Sequence, residues 1–195
     1  MLKDYTSATE SNKRALNIRG KVFDEDHEKT ADSYFYLGVT HHMLWYYTSA
    51  TESLKRALNI GQKVLGEDNE NIADSYFNLG ITQHILRDYT SATESHKWTI
   101  NIRQKVLGED HEKPAVSYFN LGATQYIFSD YASATWSHKW ALNIRQKVFG
   151  KDQESTAPSY TNLGVTQYML KDYTSVTESH KPALNIRQKV LSEDH

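Results

Sequence analysis

Residues 66–107 read "GEDNENIADSYFNLGITQHILRDYTSATESHKWTINIRQKVL", and residues 108–149 read "GEDHEKPAVSYFNLGATQYIFSDYASATWSHKWALNIRQKVF". The second stretch is the first again, 42 residues later, with most positions identical. The same beat runs through the whole chain. Tyr5, Tyr47, Tyr89, Tyr131 and Tyr173 keep it, as do Gly38, Gly80, Gly122 and Gly164, and Ile18, Ile60, Ile102, Ile144 and Ile186. A fixed period of roughly 20–50 residues sustained end to end marks a stacked array of small units, with no single central core.

Within one unit, the second half carries Tyr89, Ala92, His96, Thr99, Ile100 and Ile102 on one stripe at helical spacing, while Glu94, Lys97 and Arg103 fall elsewhere. That is an amphipathic helix, B, with one buried and one wet side. The first half has two stripes, Tyr76, Leu79, Gly80 and Gln83, then Phe77, Ile81, His84 and Ile85. A helix apolar on two faces, A, is either sandwiched or half committed to a ligand. Asp68 is the expected N-cap of helix A, with Glu70 near its positive end. Arg103 and Lys105 sit near the negative end of helix B, and Gly108 permits a left-handed stop. Glycine within a helix costs about 1 kcal/mol relative to alanine. Gly80 therefore predicts a close approach of helix B, with Ala92 facing the gap.

The expected fold is all-α, a right-handed superhelical solenoid of antiparallel helical hairpins in which only neighbours touch. Its expected organisation is a single array. Residues 1–23 form an orphan helix B; 24–65, 66–107, 108–149 and 150–191 form four hairpins; 192–195 begin a further unit. Met1 corresponds to Met169, near the end of a helix A. This predicts a piece of a longer array, or bare ends that join other copies end to end.

Composition narrows the function classes. The chain has 195 residues, 24% charged, a formal net charge of −2 and no cysteine. It therefore carries no bias towards nucleic acid or membrane, no disulfide framework and no thiol chemistry. No apolar run approaches the roughly 20 residues of a membrane span, and a cytoplasmic setting is the default. No phosphate-binding glycine loop, nucleophile elbow or paired-carboxylate pocket is present. No catalytic residue and no cofactor are expected. His27–Glu28 and His111–Glu112 begin like a zinc-binding helix, but Ala31 and Ala115 stand where the second histidine is needed, so no metal is expected. His96, His138 and His180 read as copies of a tolerated residue.

Leu121, Gly122, Tyr131, Ala134, Ala141 and Leu142 together resemble the tetratricopeptide repeat pattern. The 42-residue unit and the phrase "ALNIRQKVFG" at 141–150 resemble the kinesin-light-chain and nephrocystin subtype. The early tryptophan of such repeats is Tyr34, Tyr76, Tyr118 or Tyr160 here, and the apolar residue midway along helix B is Asn12, Leu54, His96, His138 or His180.

The resemblance implies a non-enzymatic scaffold whose A helices line a concave groove for an extended peptide. Transferred position by position, the groove residues are Asn78, Asn120 and Asn162, with Tyr36 in the corresponding first place. Around them lie Phe35, Phe77 and Phe119, then Val39, Ile81, Ala123 and Val165, then His42, His84, Tyr126 and Tyr168. An amide both donates to and accepts from a peptide backbone, and the apolar, aromatic lining suits a hydrophobic or aromatic motif. The alternative is that these side chains only pack one A helix on the next. Asp32, Asp74, Val116 and Pro158, near the helix starts, offer no basic clamp for a carboxylate, and acidic cargo would need more lysine and arginine in the groove. The partner class is protein or peptide; a rival reading is a self-associating segment with no dedicated ligand.

Two features stand outside the repeat. Trp98, Trp136 and Trp140 replace polar residues on the expected wet side of helix B, and could together form a convex aromatic patch. Pro182 falls mid-helix, where it removes a backbone bond at about 3 kcal/mol. It predicts a kinked or broken final helix near Ser179–Lys181.

Overall fold

The computed structural model describes residues 2–22 and 26–193, and among them every regular element is helical. The chain forms two compact units, Met1–Val106 and Leu107–His195. The first contains α1 (Leu2–Val22), α2 (Glu28–Met43), α3 (Tyr47–Leu65), α4 (Glu70–Ile85) and all but the last residue of α5 (Tyr89–Leu107). The second contains α6 (Glu112–Ile127), α7 (Tyr131–Phe149), a 3₁₀ turn (Glu154–Thr156), α8 (Ala157–Met169) and α9 (Tyr173–Glu193). The A helices are α2, α4, α6 and α8; the others are B helices.

In the first unit α2 packs against α3 and α3 against α4, while α1 lies on α2 and α2 touches α4. A buried cluster of Leu54, Leu58, Ile72, Ala73, Leu79 and Ile102 joins α3, α4 and α5, with Phe35 and Tyr76 against it. Each of its leucine and isoleucine side chains contributes on the order of 1.5–3 kcal/mol when fully buried. In the second unit α6 pairs with α7, α8 with α9, and α7 lies on α8.

The close approach expected at the A-helix glycines is present, but a different B-helix residue faces the gap. Ala50, Ala92 and Ala134 are fully buried, but the residue that fills the notch over each A-helix glycine comes from one turn further along. A Cβ on Gly38 would stand 2.6 Å from Leu54 Cγ. On Gly80 it would stand 2.7 Å from His96 Cε1, and on Gly122 the same distance from His138 Cε1. The histidines are therefore interior packing groups, 1% exposed at both His96 and His138. Beside each notch lies a buried polar latch. Ser95 Oγ donates to Gln83 Oε1, Ser137 Oγ to Gln125 Oε1 and Ser179 Oγ to Gln167 Oε1, each at 2.7 Å.

The caps also differ. Asn69 Oδ1 accepts from the Asn71 N–H at 2.8 Å and caps α4, while His27 Nδ1 and His111 Nδ1 do the same for α2 and α6 at 3.1 Å. Asp68, one residue too early to cap, pairs instead with Lys105 at 2.9 Å. Asp26 pairs likewise with Lys63 and Asp110 with Lys147. These aspartates tie the end of a B helix back to the turn before its own hairpin. At the other turn, Asp88, Asp130 and Asp172 accept from the N–H groups of Ser91, Ser133 and Ser175.

The final helix is not broken. α9 runs from Tyr173 to Glu193 with Pro182 inside it. Proline removes one ladder bond, but Ser179, Ala183 and Ile186 are buried on either side of it. The Ser179–Gln167 latch holds the preceding turn against α8, so packing keeps both halves helical.

Candidate peptide-binding face

Helical spacing puts Asp32, Phe35, Tyr36, Val39 and His42 along α2, and their repeat equivalents Asp74, Phe77, Asn78, Ile81 and His84 along α4. Asn78 is half-buried, and its Nδ2 donates to the Asp74 carbonyl at 2.8 Å. That single bond fixes the amide plane and leaves Oδ1 and the second N–H with no partner among the described residues. Tyr36 is 56% exposed, and its ring meets Phe35 edge-on at 5.3 Å. His42 Nδ1 lies 3.0 Å from Thr82 Oγ1. Because the Thr82 hydroxyl donates to the Asn78 carbonyl, His42 Nδ1 is the donor, and the contact ties α2 to α4. Burial lowers the pKa of both His42 and His84. Their rings also lie edge-on to Tyr47 and Tyr89, at 5.4 and 5.5 Å.

The second unit repeats the pattern on α6 and α8. Asn120 Nδ2 donates to the Val116 carbonyl at 2.9 Å, and Asn162 is half-buried. The Tyr126 ring lies 5.6 Å from Tyr131, and Tyr168, 59% exposed, lies 5.9 Å from Tyr173.

Arginines reach this face from the B helices, which a reading by stripes missed. Arg103 is only 5% exposed; it pairs with Asp74 at 2.7 Å and lies 4.5 Å over the Phe77 ring. Arg145 lies 5.0 Å over Phe119 and donates to Ser159 Oγ at 2.6 Å. A long side chain on a nominally wet position can turn back across its own helix. Behind the same phenylalanines stand the notch histidines, His96 at 6.3 Å from Phe77 and His138 at 5.7 Å from Phe119. Phe77 and Phe119 thus each meet both a histidine, edge-on, and an arginine. His96 Nδ1 and His138 Nδ1 are buried with no hydrogen-bond partner among the described residues. Burial is the main cause that lowers each histidine pKa to about 4.

The tryptophans shield the A-helix tyrosines. Trp98 stacks on Tyr76 at 5.9 Å in the first unit, and Trp140 stacks on Tyr118 at 5.9 Å in the second. Arg56 takes the equivalent place over Tyr34 at 5.5 Å. Trp136 meets Tyr118 edge-on and stands 5.7 Å from Trp140. Trp98 and Trp136 remain 43% and 53% exposed.

Comparison with known proteins agrees with the all-helical repeat fold. Models of the tetratricopeptide repeat match residues 47–105 and 156–195, together half of the chain. The chain belongs to the tetratricopeptide repeat family. Its fold is similar to BtubC (BKLC) from P. vanneervenii, with a TM-score of 0.86 at 24% identity, covering 96% of this chain and 74% of that one. It is similar to a candidate kinesin light chain of Podosopora anserina with nearly identical TPR-like repeats, with a TM-score of 0.84 at 17% identity, covering 95% and 88%. It is also similar to a Rap protein complexed with competence and sporulation factor, with a TM-score of 0.67 at 16% identity, covering 96% and 51%. No curated protein matches the chain in sequence. Proteins of this family are generally non-enzymatic protein–protein interaction scaffolds. Among the described residues, no helix is long and apolar enough to cross a membrane.

Proposed function

We propose that this chain is a non-enzymatic, cytoplasmic interaction scaffold whose A helices bind an extended, mainly hydrophobic or aromatic peptide. Each unit offers its own pair of A helices, α2 with α4 and α6 with α8. The observation that carries the reading is the state of Asn78 and Asn120. Each commits one amide N–H to the carbonyl four residues back. The amide is thereby oriented before a ligand arrives, and its remaining donor and acceptor suit a peptide backbone of any sequence. The aromatic groups beside it, Tyr36 and Phe35 in one unit, Tyr126 and Tyr168 in the other, supply apolar contact. The two arginines on this face are already engaged within the chain, which argues against a clamp for acidic tails.

Binding of fluorescent peptides tests this. Hydrophobic and aromatic peptides should bind in the micromolar range, and Asn78→Ala or Asn120→Ala should weaken them roughly threefold to tenfold, the value of one hydrogen bond. Salt-sensitive binding of an acidic C-terminal peptide at micromolar affinity, with no response to hydrophobic ones, would refute the reading.

One observation favours a second reading, self-association. The turns from A to B expose large apolar side chains, Trp45 and Tyr46 in the first unit, Phe128 and Leu170 in the second. Sedimentation across a concentration series separates the two, since a self-associating segment gains mass and a peptide scaffold does not.

A further inference from the structure

An arginine recurs every 42 residues at positions 19, 103, 145 and 187, and the one gap in the series is Gly61. The arginines share a small set of partners. Arg103 pairs with Asp74 and covers Phe77. Arg145 covers Phe119 and donates to Ser159 Oγ, and Arg19 donates to Ser33 Oγ. Moved by the repeat to Gly61, those partners are Asp32, Phe35 and Ser75. All three line a cavity of about 120 Å³ in the first unit, between α2, α3 and α4, with Gly61 in its wall. About 10–15 Å³ of such space holds a single water, so the cavity has room for a side-chain head group.

We infer that this cavity is a binding site for a guanidinium group, the arginine side chain of a partner peptide, which takes the place that the chain's own arginine holds in other repeats. The inference deepens the peptide-scaffold reading and rests on it for the nature of the partner.

The chemistry of the walls agrees. Asp32 makes no ion pair among the described residues, whereas its equivalent Asp74 is bound to Arg103. Burial and the Glu28 carboxylate both raise the pKa of Asp32; Arg19 acts in the opposite sense but points its Nη1 at Ser33 Oγ and the Lys29 carbonyl. A cation entering here relieves that penalty. Among the described residues, no arginine lies over the Phe35 ring as Arg103 and Arg145 lie over Phe77 and Phe119. Ser75 Oγ donates to the Asn71 carbonyl, as Ser33 Oγ donates to the Lys29 carbonyl while accepting from Arg19, so Ser75 can still accept. Tyr36, 56% exposed, puts one edge of the cavity at solvent. The gap is also matched across the fold. Eleven residues after Arg19, Arg103 and Arg145 stand Thr30, Pro114 and Thr156, but after Gly61 stands the longer Ile72. The Ile72 Cδ1 atom would stand 2.6 Å from a Cβ at Gly61.

The test uses the full chain and two neutral-capped probes, Nα-acetyl-arginine methylamide and its uncharged citrulline counterpart, followed by amide chemical shifts. The arginine probe should saturate at millimolar concentration with shifts at Phe35, Gly61 and Ser75. The citrulline probe should bind roughly tenfold more weakly or worse, as should the arginine probe to Asp32→Asn, because a charge-assisted contact is lost in each. Gly61→Arg should fill the site from within and abolish binding; combined with Ile72→Val it has room for its Cβ. Equal binding of the two probes, no effect of Asp32→Asn, or undiminished binding to the Gly61→Arg/Ile72→Val chain would overturn the inference. If the arginine probe binds as described while no hydrophobic peptide binds, the peptide reading falls and the guanidinium site stands. If peptides bind the A-helix face while the arginine probe does not, only the site falls.

Discussion

The imidazole of His96 occupies the space that a side chain on Gly80 would need, with ring atoms 2.7 and 2.8 Å from the position of an added Cβ. The pair is a lock of ring into notch, and it leaves His96 Nδ1 buried without a hydrogen bond. Gly80→Ala gains about 1 kcal/mol of helix propensity, but overpacking a filled core costs about 1–3 kcal/mol. Denaturant unfolding should show a net loss, relieved when His96→Ala is added. His96→Leu should do the reverse and stabilise by about 1 kcal/mol, since it removes a buried unpaired nitrogen. Leu54 already fills the same notch opposite Gly38.

The same two histidines make stability depend on pH. Their folded pKa values lie at about 4 against an ordinary 6.5, chiefly through burial, with Arg103 and His84 near His96 and Arg145 near His138 acting in the same direction. The unfolded chain then binds more protons than the folded one between these values. Stability is full above pH 6.5, falls as the pH drops towards 4, and is flat in this respect below it. Each histidine contributes on the order of 3 kcal/mol to that fall. Urea unfolding at pH 7.5 and 4.5 measures the difference, and the His96→Leu/His138→Leu chain should lose most of it.

Much of this fold was legible because periodicity is a property of the whole chain. Tyr89 and Gly80 needed only their copies to place a helix on either side of a turn. The details that failed depend on single side chains. Asp68 has the chemistry of a cap, but Asn69 has the extended backbone at the helix start, and one residue decides the matter. Arg103 lies off the apolar stripe, yet its stem is long enough to return to Asp74 and Phe77, which no helical projection displays. The burial of His96 follows from what it faces, a glycine on another helix. Of the candidate face, Asn78 could be named from its column; the empty arginine place at Gly61 could be seen only once Arg103 and Arg145 had shown what that position does elsewhere.

Each turn from A to B holds a non-glycine residue in the left-handed region: Trp45, Arg87, Ser129 and Lys171, at φ between 63 and 65°. That conformation costs an L-residue about 1 kcal/mol, which glycine avoids. Arg87→Gly and Lys171→Gly should therefore stabilise the chain by up to about 1 kcal/mol each in thermal unfolding. The opposite turns already use Gly66, Gly108 and Gly150 at φ between 79 and 100°. Gly108→Ala should destabilise by a similar amount, although nothing lies within 4 Å of its added Cβ.

Pro182 sits inside α9 at the place held by Arg14, Arg56, Trp98 and Trp140 in the other repeats. The helix survives because Ala183 and Ile186 are buried beyond it and the Ser179–Gln167 latch holds the turn before it. The missing N–H nevertheless leaves the Glu178 carbonyl without its helical donor, and the ring presses on the preceding turn. Pro182→Arg should restore the bond and, like Arg56 on Tyr34, lay a cation over Tyr160. The expected gain is about 2–3 kcal/mol, read as a higher unfolding midpoint together with slower amide exchange from Tyr173 to Glu193. Removing the latch by Gln167→Ala should have a larger cost in the natural chain than in Pro182→Arg, because only the natural helix depends on packing to bridge the gap. Equal costs in the two backgrounds would show that the proline is tolerated for some other reason.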